Sequence, residues 1–347
     1  MKYLSLFSGI GGFELGFPKD WECVGFSEID KYAIQIYQKH FNHKNLGDIT
    51  KIKEQDLPEF DLLVGGFPCQ SFSIAGKRGG FSDTRGTLFF DIARILKAKQ
   101  PRLLLLENVK GLLSHDEGRT FATIISTLDE LGYDLQWQVL NSKNFGVPQN
   151  RERVFIVGNL RGTPRPKVFP FGEDGRVSDS EQQERIFRKI QTNGHGGGKP
   201  DHHSEILENG KDRPVHLNFI GGIKGKRKKW LEDGKDNSRN FSQGQRVYGS
   251  DGISQTLAGN AGGQGGKTGL YAIPVLTPDR PTKRQNGRRF KHGIFDGMKI
   301  RRLTPTECER LQGFPDDWTK DLSDTQRYKC LGNAVTVNVI KEIIKNL

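Results

Sequence analysis

The chain has 347 residues, 34% of them apolar, enough for a buried core in one large domain or two smaller ones. Its net charge of +12 falls entirely in the second half: residues 1–160 carry 19 basic and 19 acidic side chains, while residues 161–347 carry 34 and 22, which suits a polyanionic partner there. No run approaches the roughly 20 apolar residues of a membrane span, no charged leader precedes an apolar segment, and Cys23, Cys69, Cys308 and Cys330 form no Cys-x-x-Cys pair, so a membrane span, a secreted disulfide scaffold and a zinc site are not expected and a reducing cytoplasm is.

In chain order, YLSLF, CVGFSE, DLLVGG, RLLLLEN and RVFIVGN read as strands. Between them, KYAIQIYQKHF, TLFFDIARILKAK and TFATIISTLDELG place apolar residues at helical spacing. Continuous apolar strands interleaved with helices predict an α/β fold on a parallel sheet covered on both faces. From Arg161 the periodicity weakens. Pro164, Pro166 and Pro170 open a region holding the basic cluster KGKRKKW and the run GISQTLAGNAGGQGGKTG, which suit loops and short strands. Order returns after Met298. IRRLTPTECERLQGF predicts a helix started by Thr304 with Pro305 in its first turn. NAVTVNVIKEIIKNL sets Val339, Ile340, Ile343, Ile344 and Leu347 at helical intervals and is expected to pack back on the sheet. The expected units are a catalytic domain over 1–163, completed by the C-terminal helix 325–347, and a smaller, irregular, basic unit with its hinge over 164–324.

LSLFSGIGGFELG reads as a strand, then Gly9, Gly11 and Gly12, then a helix. Such a turn lets a ligand approach the backbone, and a helix N-terminus favours negative charge. The next strand ends at Glu28, placed to hold ribose hydroxyls, and GDIT sets Asp48 at another strand end, within reach of an adenine amino group. The spacing lacks the full dinucleotide fingerprint, so a mononucleotide-like ligand is expected instead of NAD.

In DLLVGGFPCQSFSIAG, Pro68 stiffens the loop just where Cys69 sits, beyond the apolar run and beside polar Gln70, Ser71 and Ser73. Cys69 therefore reads as a nucleophile in place of a small core residue. RLLLLENV brings Glu107 to the same sheet edge, and PQNRERVFIVG adds Arg151 and Arg153 on one face of the following strand. The two arginines suit either orientation of Glu107 or a structural ion pair. One thiol, one carboxyl and an arginine pair beside a nucleotide suit conjugate addition to an electron-poor ring.

Seven segments carry a family pattern in order: FSGIGGFELG, GGFPCQSFS, DTRGTLFFDIARI, ENVKGLLSHD, PQNRERVFIVG, RRLTPTECERLQGFP and GNAV. Over nearly its full length the chain resembles the bacterial-type DNA (cytosine-5)-methyltransferases of restriction–modification systems. The resemblance implies a Rossmann-like S-adenosylmethionine-dependent methyltransferase sheet with a target-recognition domain between QNRER and RRLTP. It implies S-adenosyl-L-methionine as cofactor, S-adenosyl-L-homocysteine as product, and no metal. The cofactor would lie against Phe7, Gly9, Gly11, Gly12, Glu28, Ile29, Asp48, Ile49, Pro68, Leu88, Asn333 and Val335.

The chemistry fits those residues. Attack of a Cys69 thiolate on cytosine C6 makes C5 an enamine carbon able to accept a methyl group. A protonated Glu107 would serve N3, with Arg151 and Arg153 positioning it and lowering the thiol pKa. The base must leave the helix, and IAGKRGGFSDTRGTL reads as a loop closing on DNA. The resemblance implies double-stranded DNA as partner, with Gln70, Ser73 and Arg85 at phosphate or the flipped nucleotide. Gln243 would enter beside the orphan guanine, Arg246 would read a guanine, and Thr256 would lie near the target phosphate. It further implies a cytoplasmic monomer of a bacterial or phage host, working alongside a cognate restriction endonuclease. The insertion TPDRPTKRQNGRRFKHGIFDG departs from shorter relatives and suggests extra backbone contacts.

Two alternatives stand: a tRNA cytosine-5 methyltransferase, and a DNA-binding regulator keeping the same fold. The large basic half favours duplex DNA, and the intact Cys69, Glu107, Arg151 and Arg153 set argues against regulation as the sole role.

Overall fold

The computed structural model describes residues 1–68, 88–171 and 302–347 in full and, between 219 and 301, the backbones of the strands named below. The first sheet contains β1 (Lys2–Leu6), β2 (Glu22–Ser27), β3 (Leu62–Gly66), β4 (Leu103–Val109), β5 (Tyr133–Asn141) and β7 (Glu152–Leu160). Their order is β2-β1-β3-β4-β7-β5. β1 runs parallel to β2 and β3, and β3 parallel to β4.

The sheet is nevertheless mixed and not all parallel, because β7 is antiparallel to both β4 and β5. The connection dictates this. Residues 142–151 hold only a 3-10 turn, Ser142–Phe145, and the two-residue β6, Gln149–Asn150. That link is too short for the crossover of a dozen or more residues that parallel pairing needs. β5 is also a strand that the apolar-run pattern omits. It lies at the sheet edge, and its half-exposed Gln136 and Gln138 hold the following segment: their Nε2 atoms donate to Pro166 O (2.8 Å) and Phe171 O (2.7 Å).

Alternation along the strands makes two cores. Leu104 and Leu106 face α2 (Leu88–Lys99) and α3 (Arg119–Glu130), where Ile92, Ile95, Phe121 and Ile124 complete one buried cluster. Leu103 and Leu105 face the opposite way, into a cluster with Phe155, Val157, Phe169 and the helix Val337–Ile344 through Val339, Ile340 and Ile343. The C-terminal helix thus packs on the sheet, as its spacing predicts. A third cluster joins Ile10, α1 (Lys31–His40, through Ala33 and Ile36), Phe314, Trp318, Leu331 and Val337.

The C-terminal helices are α4 (Pro305–Leu311), α5 (Asp324–Asn333) and α6 (Val337–Ile344), so the single helix expected over 325–347 is two, parted where Ala334 turns extended. The predicted start of α4 holds: Glu307 N–H donates to Thr304 Oγ1, and Thr304 N–H donates back to Glu307 Oε2 (2.7 Å), a reciprocal cap. Among the described residues no helix is long and apolar enough to cross a membrane.

The basic region contributes a second sheet of short strands: β8 (Phe219–Lys224), β9 (Arg227–Trp230), β10 (Arg246–Gly249), β12 (Leu270–Pro274), β13 (Gly293–Phe295) and β14 (Met298–Arg301), in the order β13-β14-β12-β10-β8-β9. A further strand, β11 (Ser254–Gln255), pairs with β6, immediately before Arg151.

Candidate cofactor and catalytic cleft

A cleft of about 760 Å3, a volume suited to a nucleoside-sized ligand, opens where β1 to β4 end. Of the residues expected to hold a cofactor, Phe7, Gly9, Glu28, Ile29, Asp48, Ile49, Pro68, Leu88 and Asn333 line it, as do Glu107, Arg151 and Arg153. Gly11, Gly12 and Val335 are not among the residues that line it.

The glycine turn does not lead into an α-helix. Gly9 (φ +56°) and Gly11 (φ +86°) take left-handed backbone, and the chain then makes only a 3-10 turn, Glu14–Gly16. The helix N-terminus expected there is absent. A carboxylate organises the turn instead: Gly9 N–H donates to Glu28 Oε2 (2.9 Å), while the Ile29 and Asp30 N–H groups donate to Oε1 (2.8 Å each). Oε2 retains acceptor capacity for a ligand hydroxyl. Gly11 and Gly12 act through packing. A Cβ on Gly11 would lie 2.4 Å from the Phe41 ring, and one on Gly12 would lie 2.8 Å from Val335 Cγ1 and 3.1 Å from its carbonyl oxygen.

Asp48 caps a 3-10 turn, Ile49–Lys51, and does not end a strand as expected. Its Oδ1 accepts from the Thr50 hydroxyl (2.8 Å) and N–H (3.0 Å), bonds that hold the carboxyl below its usual pKa range. Between these acids Ile29 is 73% exposed, an apolar surface facing the cleft.

Farther along the same sheet edge, Gly66 pairs with Glu107 in the β3–β4 register, and a Cβ at Gly66 would stand 3.1 Å from Glu107 Oε2. The glycine leaves room for the carboxyl. Arg153 Nε lies 3.0 Å from Glu107 Oε1. Burial raises the Glu107 pKa, the charges of Arg153 and Arg151 oppose that, and burial prevails. Arg151 turns elsewhere: its Nη2 donates to Ala334 O (2.7 Å) and Gly332 O (3.0 Å). Its own pKa is pulled down to about 9, by burial first and by the charge of Arg153 second.

Sequence reasoning gave no role to Asn108, which is buried and whose Nδ2 donates to Phe67 O (2.9 Å), bracing the residue before Pro68. Nor did it mark Asp30, which caps α1 and pairs with Lys329 of α5 (2.6 Å), or Trp318, whose Nε1 donates to Ile10 O (3.0 Å) in the glycine turn. Asn108 adjoins Glu107 within ENV, and Asp30 precedes an amphipathic run as a helix cap does; those were the available signals. Cys69, Gln70, Ser73, Arg85, Gln243 and Thr256 lie outside the described residues. Arg246 begins β10, and its side chain is outside them too.

An open α/β sheet with a nucleoside-sized cleft at its carboxyl edge places the chain in the Rossmann-like class, and solved structures share the fold. A DNMT2 variant from Spodoptera frugiperda superposes with a TM-score of 0.60 at 21% identity, covering 99% of this chain and 98% of that one. A putative DNA modification methyltransferase from an E. coli prophage gives 0.52 at 20%, covering 100% and 98%. The family model described as C-5 cytosine-specific DNA methylase matches residues 1–347, and the chain belongs to that family. It is 36% identical to Type II methyltransferase M.HhaI of Haemophilus parahaemolyticus, across 100% of this chain and 94% of that protein. It is 39% identical to M.NgoBI of Neisseria gonorrhoeae (98% and 90%) and 36% identical to the orphan methyltransferase M.Rho11sI of Bacillus phage rho11s (100% and 97%). The protein is a DNA cytosine-5 methyltransferase, which uses S-adenosylmethionine.

The cleft residues fit that cofactor. Glu28 Oε2 can take a ribose hydroxyl, Ile29 offers an apolar surface to a ring, and Asp48 offers an acceptor to an amino group.

Proposed function

We propose that this protein methylates C5 of a cytosine flipped out of a specific duplex sequence, with Cys69 as nucleophile. The observation that supports this reading best is a single cleft that runs from Glu28, Ile29 and Asp48 to Pro68 and the Glu107–Arg153 pair. Cys69 follows Pro68 directly in the chain.

Bound S-adenosylmethionine supplies an electrophilic methyl group. The protein prepares the carbon that takes it. The Cys69 thiolate bonds to C6, and the C5–C6 π electrons become available at C5. Glu107, whose pKa burial raises against the pull of Arg153 and Arg151, is the group that would donate toward N3 as charge builds on the ring. Arg153 fixes that carboxyl through its bond to Oε1. Loss of the C5 proton to water, return of the N3 proton to Glu107 and departure of the thiolate restore the aromatic ring.

In this reading residues 1–163 with 325–347 form the catalytic domain and 164–324 the recognition unit. Gln70, Ser73, Arg85 and Thr256 contact the target strand, Gln243 fills the space left by the base, and Arg246 reads a guanine, a contact worth ~1–3 kcal/mol of discrimination when bidentate. The protein acts as a monomer whose methylation protects sites from a cognate endonuclease. Transfer to tRNA is less supported, because the matching family is one of DNA methylases.

Bisulfite sequencing of plasmid DNA from cells expressing the chain should reveal one methylated cytosine motif, lost in Cys69→Ala. An unmethylated plasmid with the wild-type chain, or full methylation with Cys69→Ala, would reject the proposal.

A further inference from the structure

Helix α5 ends at Asn333, a residue on the cleft wall. The last carbonyls of a helix have no partner within it and carry the negative end of its dipole. Here they are buried and held from outside. The single nitrogen Nη2 of Arg151 donates to both Gly332 O (3.0 Å) and Ala334 O (2.7 Å), the two carbonyls that flank Asn333. Gln312 Nε2 takes Leu331 O (2.8 Å) beside them.

The same segments are joined a second time. Ser142 N–H donates to Arg151 O (3.0 Å), the Ser142 and Thr336 hydroxyls meet at 2.8 Å, and Thr336 Oγ1 donates to Gln312 Oε1 (2.8 Å). Arg151, Ser142, Gln312 and Thr336 are all buried. Arg151 borders the cleft, yet it is 1% exposed and its Nη2 is committed to two backbone carbonyls.

We infer that Arg151 is a positioning residue for the cofactor wall: it fixes the end of α5, and with it Asn333, and does not contact the target base. This rests on the proposed function, and it divides the arginine pair by task. Arg153 serves the catalytic carboxyl from β7, and Arg151, just before that strand, joins it to the C-terminal turn beside the cofactor. Lysine in its place keeps a charge and one multi-donor nitrogen at the helix end, whereas methionine removes both.

The test separates binding from chemistry in purified full-length protein. Equilibrium binding of S-adenosylmethionine and covalent capture of a 5-fluorocytosine duplex are measured for wild type, Arg151→Lys and Arg151→Met. The expected result is cofactor binding weakened at least tenfold in Arg151→Met and partly restored in Arg151→Lys. At saturating cofactor, the capture rate of Arg151→Lys should stay within about threefold of wild type, with duplex affinity unchanged. Normal cofactor binding with capture slowed a hundredfold would overturn the inference and make Arg151 a base contact. If the Arg151 variants do not fold, Gln312→Met loosens the same turn from the other side, through Leu331 O and Ala334 O. It must also weaken the cofactor, and unaltered binding there counts against the role. Failure of the wild-type protein to capture the duplex would instead indict the proposed function itself.

Discussion

Arg153 and Glu107 meet across the antiparallel seam between β4 and β7, with Nε 3.0 Å from Oε1. The register explains the meeting. Glu107 faces Phe155, and Arg153, two residues away, projects from the same side of β7. Burial raises the carboxyl's pKa while the two guanidinium charges restrain it. Because the proposed reaction uses the protonated acid, activity should fall as pH rises through that raised pKa. Arg153→Gln removes one restraining charge. Its falling limb should therefore move to higher pH, at a lower plateau because the carboxyl is no longer held. Single-turnover rates against pH at saturating cofactor provide the check, and a limb moved to lower pH would contradict the assignment.

Glu107→Gln keeps an N–H donor at every pH but cannot transfer a proton. It should lose about 10²–10⁴ in rate, the ordinary worth of a general acid, and the pH limb should vanish with it. Persistence of the limb would assign it to another group.

The glycine turn separates backbone freedom from packing. Gly9 has φ +56°, and a Cβ there would meet nothing within 4 Å, so Gly9→Ala should cost only the left-handed backbone penalty, about 1 kcal/mol. At Gly12 the new methyl would strike Val335, including its carbonyl oxygen at 3.1 Å. Overpacking there should cost ~1–3 kcal/mol and displace the chain beyond Asn333. Urea unfolding and cofactor binding should both rank Gly12→Ala as the worse variant; the reverse ranking would show that Val335 yields freely.

What could be read from the chain was local. LLLL in β4 announces a strand buried on both faces, and Thr304 with Glu307 announces a helix start, because each signal lies within a few residues of its effect. The helix expected after Gly12 fails because positive φ at Gly9 and Gly11 commits the backbone to a turn. β5 escaped notice because an edge strand with half-exposed Gln136 and Gln138 lacks a continuous apolar run. The direction of β7 is set by the length of its connection, and apolar pattern carries no information on that. Asp30 and Lys329, 299 residues apart, meet only in the folded chain. Both arginines stand out in the sequence, but their division between Glu107 and the end of α5 depends on side-chain direction.

Glu14 gives a pH prediction away from the chemistry. It is buried below the glycine turn, and neither carboxyl oxygen has a hydrogen-bond partner among the described residues. Burial raises its pKa from 4.5 to about 7. The unfolded chain releases this proton near 4.5, whereas the folded one keeps it until about 7. The sign follows: stability is greatest below 4.5, declines as pH rises to about 7, and is level above that. The decline should be about 3 kcal/mol. Glu14→Gln cannot ionise, so its unfolding free energy should lack this share of the decline between pH 5 and pH 8. Parallel pH profiles for the two proteins would refute the buried-acid explanation.

Asn108 ties the end of β4 to Phe67, two residues before Cys69 in the chain. In register it follows Glu107, which pairs with Gly66, so its side chain continues the β3–β4 ladder one step past the last strand residue of β3. There Nδ2 donates to Phe67 O (2.9 Å), while Oδ1 accepts from Val109 N–H (2.8 Å). Asn108→Ala leaves a buried carbonyl without its donor, which should destabilise the fold by ~1–3 kcal/mol. Asn108→Asp should be worse, because a carboxylate presents only acceptors to that carbonyl. The catalytic effect is separable from stability. A loop displaced by about an ångström should slow thiol addition roughly 10²-fold, while cofactor binding, held by Glu28 and Ile29, changes little. The measurement is capture of 5-fluorocytosine DNA per folded molecule at saturating cofactor. Capture at the wild-type rate by folded Asn108→Ala would mean that Pro68 alone fixes the nucleophile, and the bond to Phe67 would then be a matter of stability only.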